Sequence, residues 1–183
     1  MTWQDYLKYF EEILNAENPS EPYNDDEYYQ YTKLNWSRSN RWLKHSPLTE
    51  ESKAVVKAIK DKQIWELITE PWCGDAAHIV PIVYLLSAEN PNIQLNLQLR
   101  DNGSEIDKYL TNGSKSIPIL IVRDAVGKDL FHWGPRPASA KKIYEDLKKV
   151  NGSYEEIKVA HQNFYNQDKA REIQEEITTL LKS

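Results

Sequence analysis

Residues 64 to 87 limit what this chain can fold into more than any other stretch. Ile64-Trp65-Glu66-Leu67-Ile68 is nearly all apolar, as a strand covered on both faces must be. The polar turn Thr69 to Asp75 follows, and Ala76 to Ser87 then reads as a helix carrying Ile79, Val80, Val83, Leu85 and Leu86. A buried strand running straight into an apolar helix commits the chain to a layered α/β arrangement. The turn also holds the only cysteine, Cys73, at the helix entrance, where unpaired amide hydrogens favour a thiolate. Any chemistry in this chain is therefore expected at Cys73.

The segments that follow extend the alternation. Ile93, Leu95, Leu97 and Leu99 alternate with Gln94, Asn96, Gln98 and Arg100, the period of a strand with one polar face. Asp101-Asn102-Gly103 turns the chain, and Ser104 opens a short helix with Ile106, Tyr109 and Leu110. Ser116 to Val122 is an apolar strand entered through Pro118, and after the turn Ala125 to Lys128 the segment Leu130 to Trp133 pairs back antiparallel. A helix with Ala140, Ile143, Tyr144 and Leu147 ends at Asn151-Gly152. The order is β-α-β-α-β-β-α, with Pro81 bending the first helix.

Helices flank this unit on both sides. Trp3, Tyr6, Leu7, Phe10, Ile13 and Leu14 form one apolar face of a helix capped by Thr2 and ending near Asn15. Residues 16 to 26 read as a loop, and Glu27 to His45 as a helix with Tyr28, Tyr31 and Leu34 at helical spacing and a break near Ser37. Thr49 caps a further helix whose inner stripe is Ala54, Val55, Ala58 and Ile59. Ser153 and Glu156 form a capping box for a long final helix that bends near Asn166. The chain thus divides into an N-terminal helical extension (1–61), an α/β core (62–150) and a C-terminal helix (151–183), expected to form one globular unit.

Composition narrows the partners. The chain has 183 residues, which suits one elaborated domain, and its 23 Lys and Arg against 28 Asp and Glu give a net charge of -5 with no long basic run. Nucleic acid is excluded as a partner on that ground. Arg38 and Arg41 lie among tyrosines and tryptophans, but the neighbouring Asp25, Asp26 and Glu27 favour a helix packed on the domain over a base-stacking surface. No apolar run approaches the ~20 residues of a membrane span. The first fifteen residues lack a signal-peptide pattern, and a lone cysteine allows no internal disulfide, so a cytoplasmic protein is expected. The six glycines form no phosphate loop and the four histidines are scattered, so no metal site is expected.

The strand and helix order, with Trp72-Cys73-Gly74 at the first strand-to-helix turn, Pro81 eight residues after the cysteine and Ile117-Pro118 entering the third strand, resembles the thioredoxin superfamily over residues 62 to 150. That resemblance implies a thioredoxin-like α/β fold with a central four-stranded mixed sheet. It also implies that Pro118 is the family's cis-proline opposite the cysteine, and that Trp72, Gly74, Ile117, Pro118 and Trp133 shape a substrate groove. The family motif is Trp-Cys-Gly-Pro-Cys, whereas here Asp75 and Ala76 stand where the proline and second cysteine would be. The run Trp133-Gly134-Pro135-Arg136-Pro137 is similar to that of a bacterial thioredoxin-like branch carrying one cysteine.

Without a second thiol, a mixed disulfide at Cys73 must be released by an outside thiol. The implied function is monothiol thiol-disulfide exchange or mixed-disulfide formation through Cys73, with a protein or a small-molecule thiol or disulfide as partner. The alternative is a redox-inactive module that binds a protein in the same groove. Asp75 is a candidate proton acceptor for the thiol or, as a first-turn carboxylate, a helix cap. His78 reads as a surface or partly buried helix residue. No cofactor is implied, since Cys73-Gly74-Asp75-Ala76 departs from the Cys-Gly-Phe-Ser motif of monothiol glutaredoxins that carry an iron-sulfur cluster.

Overall fold

The computed structural model describes residues 1–183. Three helices come first: α1 (Trp3–Asn15), α2 (Asp26–His45) and α3 (Glu50–Lys57). The core then runs β1 (Gln63–Thr69), α4 (Ala76–Ala88), β2 (Ile93–Leu99), β3 (Ile119–Asp124), β4 (Asp129–Trp133) and α5 (Ala138–Lys149), followed by α6 (Tyr154–Asp168) and α7 (Arg171–Leu180). The strand order is β2-β1-β3-β4, with β1 parallel to β2 and the other neighbours antiparallel. This is the four-stranded mixed sheet that the resemblance implies. No helix is long and apolar enough to cross a membrane.

The apolar pattern accounts for the layering. Trp65, Leu67 and Ile68 of β1 and Leu120, Ile121 and Val122 of β3 are fully buried, as the two interior strands require. On α4, Ile79, Ile82, Val83 and Leu86 are equally buried, each side chain contributing about 1.5–3 kcal/mol of apolar transfer free energy. At the edge strand β2 the polar positions find partners, because Asn96 and Gln98 both donate to the Glu66 carboxylate at 2.8 and 3.0 Å.

Helix α2 departs from the expected pattern. It runs unbroken through Ser37, Tyr28 and Leu34 are exposed, and the buried face is Thr32, Asn35, Ser39 and Trp42. The physical reason lies on α4. Pro81 has no amide hydrogen to give the carbonyl of Ala77 four residues before it, and the Ser39 hydroxyl donates to that carbonyl instead at 3.3 Å. Asn35 donates to the carbonyl of Pro71 at 3.0 Å, and the Trp42 indole N–H to His78 Nδ1 at 3.0 Å. The polar side of α2 is thus the side that α4 and its turn require.

Three smaller departures follow from tertiary ties. The expected helix after Ser104 is a single 3₁₀ turn at Ile106–Lys108, because the Glu105 carboxylate is held by Arg123 at 3.0 and 2.9 Å and the Glu105 amide by Gln98 at 3.0 Å. In α3 the inward residues are Ser52 and Val56, since Gln174 of α7 accepts from the Thr49 amide and donates to the Pro47 carbonyl, which sets the helix's rotation. The final helix is two helices. Lys169 and Ala170 both take left-handed backbone conformations, and the reversal lets α7 bury Ile173 and Ile177.

Candidate functional site

The β1–α4 turn places Cys73 at the floor of a cavity of about 510 Å³. The turn supplies Trp72, Cys73, Gly74 and Asp75, and the loop before β3 supplies Ile117. The core adds Arg100, Lys115, Arg136 and Tyr144, and two walls come from outside the core expected from the sequence: Tyr31 and Arg38 of α2 on one side, and Lys158, His161, Gln162 and Tyr165 of α6 on the other. Both helical extensions therefore close over the cysteine. Tyr31 packs so tightly on Gly74 that a Cβ there would lie 3.2 Å from the ring.

Cys73 is buried, and its thiol donates to the carbonyl of Ile117 at 3.4 Å. Burial, and then the negative charge of Asp75, push its pKa up to about 12, outweighing the amides of Ala76 and Asp75 and the charge of Arg136, which all favour the thiolate. Burial thus works against the activation expected at the helix entrance. Sulfur at a helix N-terminus gains from the amides only where the ion is not also stripped of water.

Asp75 occupies the N-cap position of α4, yet its side chain makes no capping bond. One carboxylate oxygen instead takes Arg136 Nε at 3.0 Å and Nη2 at 2.5 Å, and the other takes the Tyr165 hydroxyl at 2.7 Å. The carboxylate is therefore occupied by Arg136 and Tyr165, while the thiol bonds to Ile117. His161 sits 3.8 Å from the same carboxylate, and burial holds its pKa below the ordinary histidine value. His78 is also buried, not a surface residue. It accepts from Trp42 and stacks on Tyr165 at 4.3 Å, and burial pushes its pKa down to about 3.

The residues singled out in the sequence are only partly brought together. Trp72, Gly74, Asp75 and Ile117 share the cavity with Cys73, and Arg100 lies over the Trp72 ring at 4.6 Å. The Ile117–Pro118 peptide is cis, and Pro118 is buried beneath the cavity wall without lining it. Gly134 approaches the Pro118 carbonyl so closely that a Cβ would lie 2.3 Å from it, and its φ of +127° also demands glycine. Trp133 lies apart from the cavity, its indole N–H donating to Glu176 of α7 at 2.6 Å. Sequence reasoning missed Tyr165, His161 and Lys158, which look like ordinary helix residues until α6 is folded over the turn. No cluster of three or more His, Cys, Asp or Glu is arranged to hold a metal ion.

A family model described as thioredoxin matches residues 22–148. The matched region begins before α2, so it takes in the helix that walls the cavity. Two solved structures share the fold at low identity. A crystal structure of a protein of unknown function from Pseudomonas aeruginosa is 14% identical with a TM-score of 0.58, covering 82% of this chain and 84% of that one. An HIV epitope-scaffold is 13% identical with a TM-score of 0.57, covering 100% of this chain and 98% of that one. No curated protein sequence matches at a significant level.

Proposed function

Because the chain belongs to the thioredoxin family, we propose that it is a redox-silent member that uses the family's active-site corner as a small-molecule pocket, with Cys73 held as a neutral thiol at its floor. The observation that carries this reading is the position of α2 and α6, which wall in the corner where an extended peptide would otherwise lie along the cysteine. A cavity of about 510 Å³ is of the size that takes a small ligand. The absence of a second cysteine, with Ala76 in the resolving position, supports the same reading. The lone thiol suits a cytoplasmic setting, and the Trp133–Pro137 run a bacterial branch.

A second reading keeps monothiol exchange, and the contact of Cys73 with the cavity favours it. In that step the Cys73 thiolate attacks a small disulfide, forming a mixed disulfide and releasing one thiolate. An outside thiol then frees Cys73.

Alkylation of Cys73 by iodoacetamide as a function of pH separates the two. With a thiol pKa of about 12, the thiolate fraction at pH 8 is on the order of a thousandfold below that of a free cysteine near 8.5, and alkylation is expected to slow in proportion. Alkylation at the free-cysteine rate, or exchange with hydroxyethyl disulfide at neutral pH, would return the protein to the monothiol reading.

A further inference from the structure

The cavity wall is cationic in a protein whose net charge is -5. Five basic side chains line it, Arg38, Arg100, Lys115, Arg136 and Lys158, against two acidic ones, Asp75 and Asp101. Some of this charge is already answered. Arg136 is bound to Asp75, Arg100 to Asp101 at 2.8 and 2.7 Å, and Lys115 to Asp107 at 2.9 Å. Lys158 turns to Glu155 and lies 4.0 Å from Glu27, carboxylates 73% and 76% exposed, where water screens the pairs.

Arg38 is different. Its guanidinium makes one hydrogen bond, to the amide oxygen of Asn35 at 3.0 Å, and no ion pair. It reaches over the face of Tyr31 at 5.5 Å, and Lys158 lies near the same ring at 5.2 Å. Two cations from two different helices thus share one aromatic ring at the cavity wall. An anion entering the cavity beside Tyr31 would meet positive charge from both helices. A guanidinium with free N–H donors is the group best shaped to take a carboxylate or phosphate.

We propose that the cavity beside Cys73 binds a small organic polyanion, with Arg38 and Lys158 as the pair that grips its charged group. The inference rests on reading the corner as a small-molecule pocket and names the chemical class of its ligand. Carboxylate and phosphate offer the same shared chemistry, an oxyanion for two cations. The neutral imidazoles of His78 and His161 add no charge to the site.

Isothermal titration of the full-length protein at low ionic strength tests this, with citrate and inorganic pyrophosphate as probes and glucose as the neutral comparator. One of the two anions is expected to bind at one site per chain, with affinity falling as salt is added, while glucose does not bind. Which anion binds more tightly distinguishes carboxylate from phosphate. Arg38→Gln and Lys158→Gln are each expected to weaken binding roughly tenfold. Circular dichroism and the thermal midpoint of each variant establish that it is folded, and Arg38→Lys serves in place of any variant that is not. Absence of binding by both anions, or binding that the folded variants leave unchanged, overturns the proposal. The alkylation kinetics of Cys73 test the resting state of the thiol separately, so either conclusion can fail while the other stands.

Discussion

Asp75 takes the place that a proline holds in the family motif, and it ties three parts of the chain together through one carboxylate. Arg136 is 61 residues away and Tyr165 is 90 residues away, and both bond to it. The side chains of Asp75 and Arg136 are 9% and 20% exposed, so neither charge is fully solvated if the other is removed. Asp75→Asn should therefore cost about 3–5 kcal/mol, the usual penalty for stranding one member of a buried ion pair. Denaturant unfolding measures it. The double variant Asp75→Asn with Arg136→Met should recover much of the loss, since no uncompensated charge remains. The same substitution removes the second of the two causes that raise the Cys73 pKa, and burial, the larger cause, stays. In Asp75→Asn the onset of alkylation should move to lower pH but remain above that of a free cysteine. An unchanged onset would mean that Asp75 does not set the state of the thiol.

At the level of elements, the contact between α2 and α4 depends on polar groups, and one of them makes the fold acid-sensitive. His78 titrates near 3 in the folded chain, against about 6.5 when unfolded. Its folded pKa is depressed, so its contribution is fully present above pH ~6.5 and is lost as the pH falls toward 3, with a slope of up to ~1.4 kcal/mol per pH unit. Urea unfolding at pH 7, 5.5 and 4.5 should show this loss. His78→Gln keeps an acceptor for Trp42 but cannot take up the proton, so its stability should fall less steeply over the same range. Equal slopes would show that another group drives acid unfolding. The α/β order was readable from the sequence because its signals are local: the apolar run of β1, the alternation of β2, Pro118 at the entry to the third strand. The inward face of α2 was not, because Asn35 and Ser39 look like solvated residues until they meet the Pro71 carbonyl in the turn and the Ala77 carbonyl that Pro81 leaves without its helical donor. Cys73 and its turn could be singled out for the same local reason. Tyr165, His161 and Lys158 reach that turn only through long-range packing, and nothing in their own spacing marks them.

For the whole molecule, the two terminal extensions decide what can reach Cys73. The cysteine is 8% exposed and sits between α2 and α6 at the bottom of the cavity. A reagent of a few heavy atoms can enter such a space, whereas a polymer-linked one must wait until a wall swings away. The wall best placed to move is α6. Its first turns carry exposed Tyr154 and Val159, while its C-terminal half is held by buried Tyr165, bonded to Asp75 and stacked on His78. If opening of α6 costs ~3 kcal/mol, within the range of sub-global fluctuations, labelling by a large reagent is slowed roughly a hundredfold relative to its rate on the unfolded chain. Methyl methanethiosulfonate and a 5 kDa maleimide-polyethylene glycol (reagent size about 5 kDa) provide the comparison, each rate being divided by its rate on the urea-unfolded chain so that intrinsic reactivity cancels. Hydrogen exchange in α6 should then open with the same free energy as the large reagent's labelling. If the large reagent labels the native chain as fast as the unfolded one, α6 does not cover the cysteine, and a protein partner regains access to the corner.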